Sequence, residues 1–179
     1  RADQFALVRN LVADSPAQPC EFFIPAVLRQ FRLSPLIRAS SFDERIAYLP
    51  NFVAVLKSER SAFASAIAYP DGDYMGVSWA DTDYIQEKYR PPAGTVYVVF
   101  YLKHTASETS FYTGKMYAIY FDEQLKEISR NEGVASQYDP RVRPWYQQAA
   151  DEPHATRPYL FYDSRIVGLT AMSKTAEPG

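Results

Sequence analysis

Through the first sixty residues the apolar positions recur at helical spacing, and beyond them the period shortens. Phe5, Val8 and Val12 fall on one stripe with Leu7 and Leu11 beside it, and Ser15-Pro16 closes the segment. This predicts an amphipathic N-terminal helix whose stripe needs cover, for which a parallel homodimer through such helices is the simplest arrangement. A second helix is predicted over about Phe22 to Leu33, with Pro25 tolerated only near its first turn. Ser41 followed by Glu44 has the spacing of a capping box, opening a helix that brings Phe42, Ile46 and Leu49 together. Pro50 either breaks that pattern or starts a new short helix holding Phe52, Val53 and Leu56.

From Ala62 onward the reading is extended. Phe63 to Tyr69 and Tyr74 to Trp79 flank Pro70-Asp71-Gly72, a strong hairpin signal. Asp81 to Arg90 is polar and bounded by Pro91-Pro92, which suits a loop or short helix. Thr95 to Lys103, rich in Val, Tyr and Phe, is the clearest strand. Lys115 to Asp122 alternates Met116, Ala118 and Tyr120 against Tyr117, Ile119 and Phe121. Further strands are predicted near Leu125 to Ser129 and Ile166 to Met172. Helices followed by hairpin-joined strands predict an α+β fold with an antiparallel sheet.

Composition narrows the function classes. The 179 residues include 14 Tyr, 11 Phe and 2 Trp, enough for a sizeable core in one domain. A net charge of −2 leaves no basic field to grip nucleic acid. The longest apolar run, Val96 to Leu102, is far below the ~20 residues of a membrane-spanning helix. Cys20 is the one cysteine, so neither a disulfide framework nor a cysteine-built zinc site is available.

Catalytic constellations find little support. His104 and His154 are the only histidines, each in a polar context that suits an exposed loop. No serine sits in a G-x-S-x-G elbow, and the scattered glycines form no phosphate-cradling loop. Asp71-Gly72-Asp73-Tyr74 does not continue as a calcium loop and reads as a solvated turn. The chain is therefore expected not to be an enzyme and to need no metal or cofactor.

The most informative segment is Tyr138 to Tyr146, Y-D-P-R-V-R-P-W-Y. Asp139 is a good helix cap and Pro140 suits a first helical position. Pro144 cannot sit deep in the same helix, so it starts a second one carrying Trp145 and Tyr146. On this bent scaffold Arg143 can clamp a carboxylate with its two-point fork. Tyr138, Trp145 and Tyr146 can wall a small pocket. The same spacing also suits Trp145 and Tyr146 as core anchors with Arg143 on the surface, and spacing alone leaves both readings open.

This segment resembles the signature D-P-x-x-R-P-W-Y of Cache domains, the PAS-like extracytoplasmic sensors of bacterial receptors. The resemblance extends to the hairpin with its Asp71-Gly72 turn and to a downstream strand pair, from Pro158-Tyr159 to Gly168-Leu169-Thr170, and so covers roughly Ser41 to Ser173. It implies a central antiparallel sheet flanked by helices, with residues 1–40 as a helical N-terminal segment and 41–179 as the sensor module. It further implies an amino-acid-like or other small carboxylate ligand, with the arginine on its carboxylate and the aromatics around it. Those roles fall on Tyr138, Arg143, Trp145 and Tyr146, and less directly on Tyr159. Two departures are visible. Amino-acid-binding members carry, on a last strand, an aspartate that takes the ammonium group, and the residues given after Lys174, Thr175 to Gly179, include neither that strand nor a membrane-proximal module. Tyr159-Leu160-Phe161-Tyr162 is also bulkier than usual there. The resemblance thus points to a periplasmic ligand-sensing region of a membrane-anchored receptor with a cyclase, kinase or chemoreceptor output. A ligand-free dimerisation module and a carbohydrate-binding domain are the competing readings.

Overall fold

A computed structural model describes residues 4–10 (as backbone), 39–58, 60, 62–105, 114–162, 164 and 166–175. The helix expected over Phe22 to Leu33 and Cys20 lie outside the described residues. In chain order the elements are β1 (Gln4–Asn10), α1 (Phe42–Ile46), α2 (Leu49–Ser58), β2 (Ala62–Ala68), β3 (Tyr74–Trp79), α3 (Asp83–Tyr89), β4 (Tyr97–His104), β5 (Gly114–Phe121), β6 (Glu127–Arg130) and β7 (Val134–Ser136). A 3-10 turn (Pro140–Val142), α4 (Pro144–Gln147), β8 (His154–Ala155), β9 (Tyr159–Leu160) and β10 (Val167–Lys174) complete them.

The strands form one antiparallel sheet in the order β6-β5-β4-β3-β2-β1-β10-β8, with β7 beside β5 and β9 beside β10. The protein is therefore α+β with a mainly antiparallel sheet. Among the described residues no helix is long and apolar enough to cross a membrane.

One expectation is overturned at the N-terminus. Residues 4–10 form β1 rather than a helix, so Phe5 and Val8 do not belong to a helical dimer stripe. Phe5 to Val8 is a short unbroken apolar run, whose periodicity cannot separate strand from helix. The decision is tertiary: β1 lies between β2 and β10 and pairs with both along its length, satisfying backbone donors and acceptors on either side.

The strands carry different residues on their two faces. Met75, Val77 and Trp79 of β3, Val99 and Tyr101 of β4, and Ile119 and Phe121 of β5 pack with Phe52, Val53, Val55 and Leu56 of α2 in the main core. Phe52 and Leu56 are fully buried there, each worth about 1.5–3 kcal/mol of transfer free energy. The alternate positions Val98, Ala118 and Tyr120 face a smaller cluster under α3, and Ala68 and Met172 face one under α4. The second face is thus covered in pieces, which leaves room between them.

The hairpin and capping signals hold locally. Gly72 has φ +92°, a conformation L side chains rarely adopt, and its N–H donates to the Tyr69 carbonyl at 2.9 Å. Ser41 caps α1: the Glu44 N–H donates to Ser41 Oγ at 3.2 Å, while Glu44 Oε2 accepts from the Ser41 N–H at 3.2 Å and the Ser40 N–H at 2.7 Å. Both residues are exposed, so Ser41→Ala is expected to cost about 1 kcal/mol. A lower urea midpoint at unchanged slope would report it; an unchanged midpoint would remove the cap from the account.

Behind α1 lies a buried charge network. Arg45 and Asp73 are each 1% exposed. Arg45 Nη1 donates to Asp73 Oδ2 at 2.5 Å and its Nε to the Ala39 carbonyl at 3.0 Å, with the guanidinium stacked 3.7 Å above the Tyr69 ring. Lys103 Nζ reaches the same carboxylate at 2.8 Å, and the His104 N–H donates to Asp73 Oδ1 at 2.8 Å. Asp73, which the sequence suggested belonged to a solvated turn, is instead the centre that ties α1, the β2–β3 hairpin and β4 together. His104 likewise sits at the end of β4 rather than in a loop.

Candidate functional site

The Tyr138–Tyr146 segment folds locally as its residues dictate. Asp139 caps the 3-10 turn, with Pro140 at its first position, and Pro144 opens α4. The two arginines of the motif take different roles. Arg141 is locked in place: Nε and Nη2 donate to the Asp139 carboxylate at 2.9 and 2.8 Å, and Nη2 also reaches His104 Nε2 at 3.0 Å. Burial pushes the Asp139 carboxyl up, but the side-chain and backbone bonds from Arg141 outweigh it and hold it below its ordinary value. This clamp fastens the segment to the end of β4.

Arg143 turns the other way. Its guanidinium lies 4.2 Å from the Tyr162 ring centroid and 5.2 Å from that of Tyr138, and its Nε donates to the Asp139 carbonyl at 3.2 Å. Among the described residues no carboxylate pairs with it. A guanidinium in cation–π contact keeps its remaining N–H groups able to donate to an acceptor.

Arg143 borders a cavity of about 120 Å³ on the second face of the sheet. At about 30 Å³ for each water, that is room for about four water molecules. Tyr138, Trp145 and Tyr159 border it too, so four of the five candidate residues meet around one space. Tyr146 does not line it. It packs instead beside Trp145, at 5.9 Å between centroids, in the cluster with Ala68, Ala149 and Met172. Consecutive helical positions point about 100° apart, and of the two only Trp145 borders the cavity.

The rings brace one another. Tyr74 meets Tyr138 edge-on at 5.4 Å, and Tyr138 meets Tyr162 at 5.6 Å. The Tyr159 hydroxyl shares a 2.7 Å hydrogen bond with Thr170 Oγ1. Burial pushes the Tyr159 hydroxyl above its usual value, against opposing contributions from the Thr170 bond and the Arg143 charge.

The floor and far wall come from residues that sequence reasoning did not single out. Tyr74 and Ser78 of β3, Phe100 of β4 and Met116 of β5 are floor positions. Their signal was present as strand alternation, being the positions opposite the Met75–Val77 core face. Tyr84 and Tyr89 enter from α3, and Phe63 from β2. Phe63 carried no such signal. Val8 pairs with Ala64 and Arg9 with Ala62, so Phe63 is the unmatched residue of a bulge, which re-aims its side chain toward Tyr84 at 6.1 Å.

A hollow of about 460 Å³ lies elsewhere, bordered by Lys57, Arg60, Asp81 and Glu123. All four are exposed and their charges are mixed, so they offer no single ligand chemistry. Among the described residues no three His, Cys, Asp or Glu side chains gather as metal ligands.

No known protein family, curated protein or solved structure matches this chain. The reading of the site therefore stands on its geometry.

Proposed function

We propose that this chain is the small-molecule sensor region of a bacterial signalling receptor, a Cache-type, PAS-like module that binds a small carboxylate outside the cytoplasmic membrane. The observation that carries the reading is Arg143, a cation without a carboxylate partner among the described residues, in cation–π contact with Tyr138 and Tyr162 at the border of a mostly aromatic cavity. The antiparallel sheet and the local folding of the D-P-R-V-R-P-W-Y segment are compatible with that family. The aromatic residues gather around a half-open cleft with Arg143 at its border, and that cation favours a small acid over a glycan. Binding would act by population shift: an occupied cavity stabilises one packing of the 138–162 segment against the sheet, and the bias reaches an output domain in the parent receptor.

The test is a thermal-shift screen of small carboxylates, followed by calorimetry of the hits. At least one acid is expected to raise the melting temperature of the wild-type chain. Arg143→Ala should remain folded and lose about 10–100-fold in affinity for it, the range for a charge-assisted hydrogen-bond pair. A well-folded protein that no carboxylate stabilises, or a stabilisation that survives Arg143→Ala, would overturn the assignment. The extracytoplasmic placement predicts membrane-spanning hydropathy in the parent protein's flanking sequence.

A further inference from the structure

The room in the cavity depends on one position of β3. Alternate residues of a strand share a face, so Tyr74 and Gly76 are neighbours on the second face of the sheet. Across from them on β2 stand Ala68 and Ala66, and Phe100 of β4 lies opposite Gly76. Gly76 is buried and keeps a strand conformation without a positive φ, so its backbone does not require glycine. Glycine inside a strand weakens it and often marks a close approach by another group.

The approaching group is Tyr74. A Cβ built on Gly76 would collide with the Tyr74 hydroxyl and lie 2.8 Å from its Cζ and 3.1 Å from its Cε1. The far end of the ring thus rests where any other residue at 76 would place its side chain. Tyr138 and Trp145 pack against the same ring, at 5.4 and 6.5 Å between centroids, and the space it borders besides them is the cavity. At about 120 Å³ that space approaches the roughly 150 Å³ of an apolar cavity that holds one benzene. The cleft is half-open, so a single ring fits with its carboxylate left at the border beside Arg143.

Resting on the sensor reading above, we infer that Gly76 sets the size of acid the cavity takes: with Tyr74 laid over it, the body of the ligand is as large as one six-membered ring, whereas a side chain at 76 lifts Tyr74 into that space and leaves room only for acids of acetate size. The atoms that must give way belong to the end of one side chain and not to backbone. The sheet therefore tolerates the substitution, and its cost falls on the ligand.

Ligand-observed NMR titration of the whole chain with benzoate and acetate tests this in wild type, Gly76→Ala, Tyr74→Leu and the double variant. Wild type is expected to bind benzoate about tenfold or more tightly than acetate, from the apolar surface its ring buries. Gly76→Ala should lose about tenfold for benzoate and less than about twofold for acetate, with no marked fall in the unliganded melting temperature. Tyr74→Leu shortens the displaced side chain, so the double variant should bind benzoate within about twofold of Tyr74→Leu alone, the coupling expected of two residues in contact. Equal losses for the two acids in Gly76→Ala, or no loss, overturn the inference, as does a benzoate loss that Tyr74→Leu fails to relieve. A marked fall in the melting temperature of Gly76→Ala overturns it too, since the sheet and not the ring would then have moved. Wild-type binding of benzoate no tighter than of acetate overturns the ring-sized room, yet leaves the sensor reading intact if Arg143→Ala abolishes acetate binding. Silence from both acids likewise overturns the inference; the sensor reading then falls only if the wider carboxylate screen is silent.

Discussion

Asp73→Ala is expected to destabilise the protein by about 3–5 kcal/mol, the range for removing one partner of a buried ion pair. Among the described residues, the substitution leaves buried Arg45 opposed only by Asp71, whose carboxylate lies 4.0 Å away and is largely exposed. It also strips the His104 N–H and Lys103 Nζ of their acceptor. At roughly 2–4 °C per kcal/mol for a chain of this length, the melting temperature should fall by on the order of 10 °C. A drop below about 3 °C would mean that water or Asp71 replaces the carboxylate, and the network would lose its place at the centre of the fold.

The same residue sets an acid limb. Burial raises the Asp73 carboxyl, but the hydrogen bonds from Lys103, the His104 N–H and Arg45 outweigh it, and its value in the folded protein lies below the ordinary one. A carboxyl depressed by folding contributes stability that is complete above its unfolded value, about 3.9, and is lost as pH falls through the lower native value. Asp139, depressed by Arg141, adds to the same window. Unfolding free energy should therefore fall on acidification below about pH 4, and Asp73→Asn should flatten that fall. An unchanged acid limb in Asp73→Asn would assign it to other carboxylates.

Trp145→Ala carries the second large effect, about 3–5 kcal/mol for a buried tryptophan. Trp145 is 3% exposed and packs against Ala68, Ala149 and Met172, with the Tyr74 ring 6.5 Å away. It pins α4 to the sheet where β2 and β10 carry small or flexible residues, so little nearby can collapse into the space. Its removal also opens one wall of the cavity. Two readouts separate these consequences. The urea midpoint should fall markedly in Trp145→Ala and less in Trp145→Phe, which keeps a ring. If the chain binds a small carboxylate as proposed, stabilisation by that acid should be lost in the alanine variant even in conditions where it is folded. A midpoint within a few tenths molar of wild type would show that Trp145 is no anchor, and the segment would then be held by the Arg141–Asp139 clamp alone.

Much of the sheet was legible because its signals are local. Strand alternation in Tyr74–Trp79, Tyr97–His104 and Gly114–Phe121, the Asp71-Gly72 turn and the Ser41–Glu44 cap each depend on neighbours within a few residues. The bent form of the 138–146 segment was legible for the same reason, since two prolines and one aspartate dictate it. Residues 4–10 were misread because a short apolar run takes its conformation from whatever it pairs with. The short strands β7, β8 and β9 gave no periodic signal at two or three residues each.

Taken alone, then, the chain determined that there is an antiparallel sheet with helices, where its hairpin turns, and which nine residues form a stiff, arginine-bearing bend. It also brought Tyr138, Arg143 and Trp145 into consideration together. Only the tertiary structure decided which arginine faces the cavity, that Tyr146 turns away from it, that Phe63 enters through a bulge, and that Asp73 lies buried among cations. The physical reason is the same in each case. Backbone conformation follows from neighbours in sequence, whereas pairing, burial and the direction of a side chain follow from partners tens of residues away, whose positions no local pattern encodes.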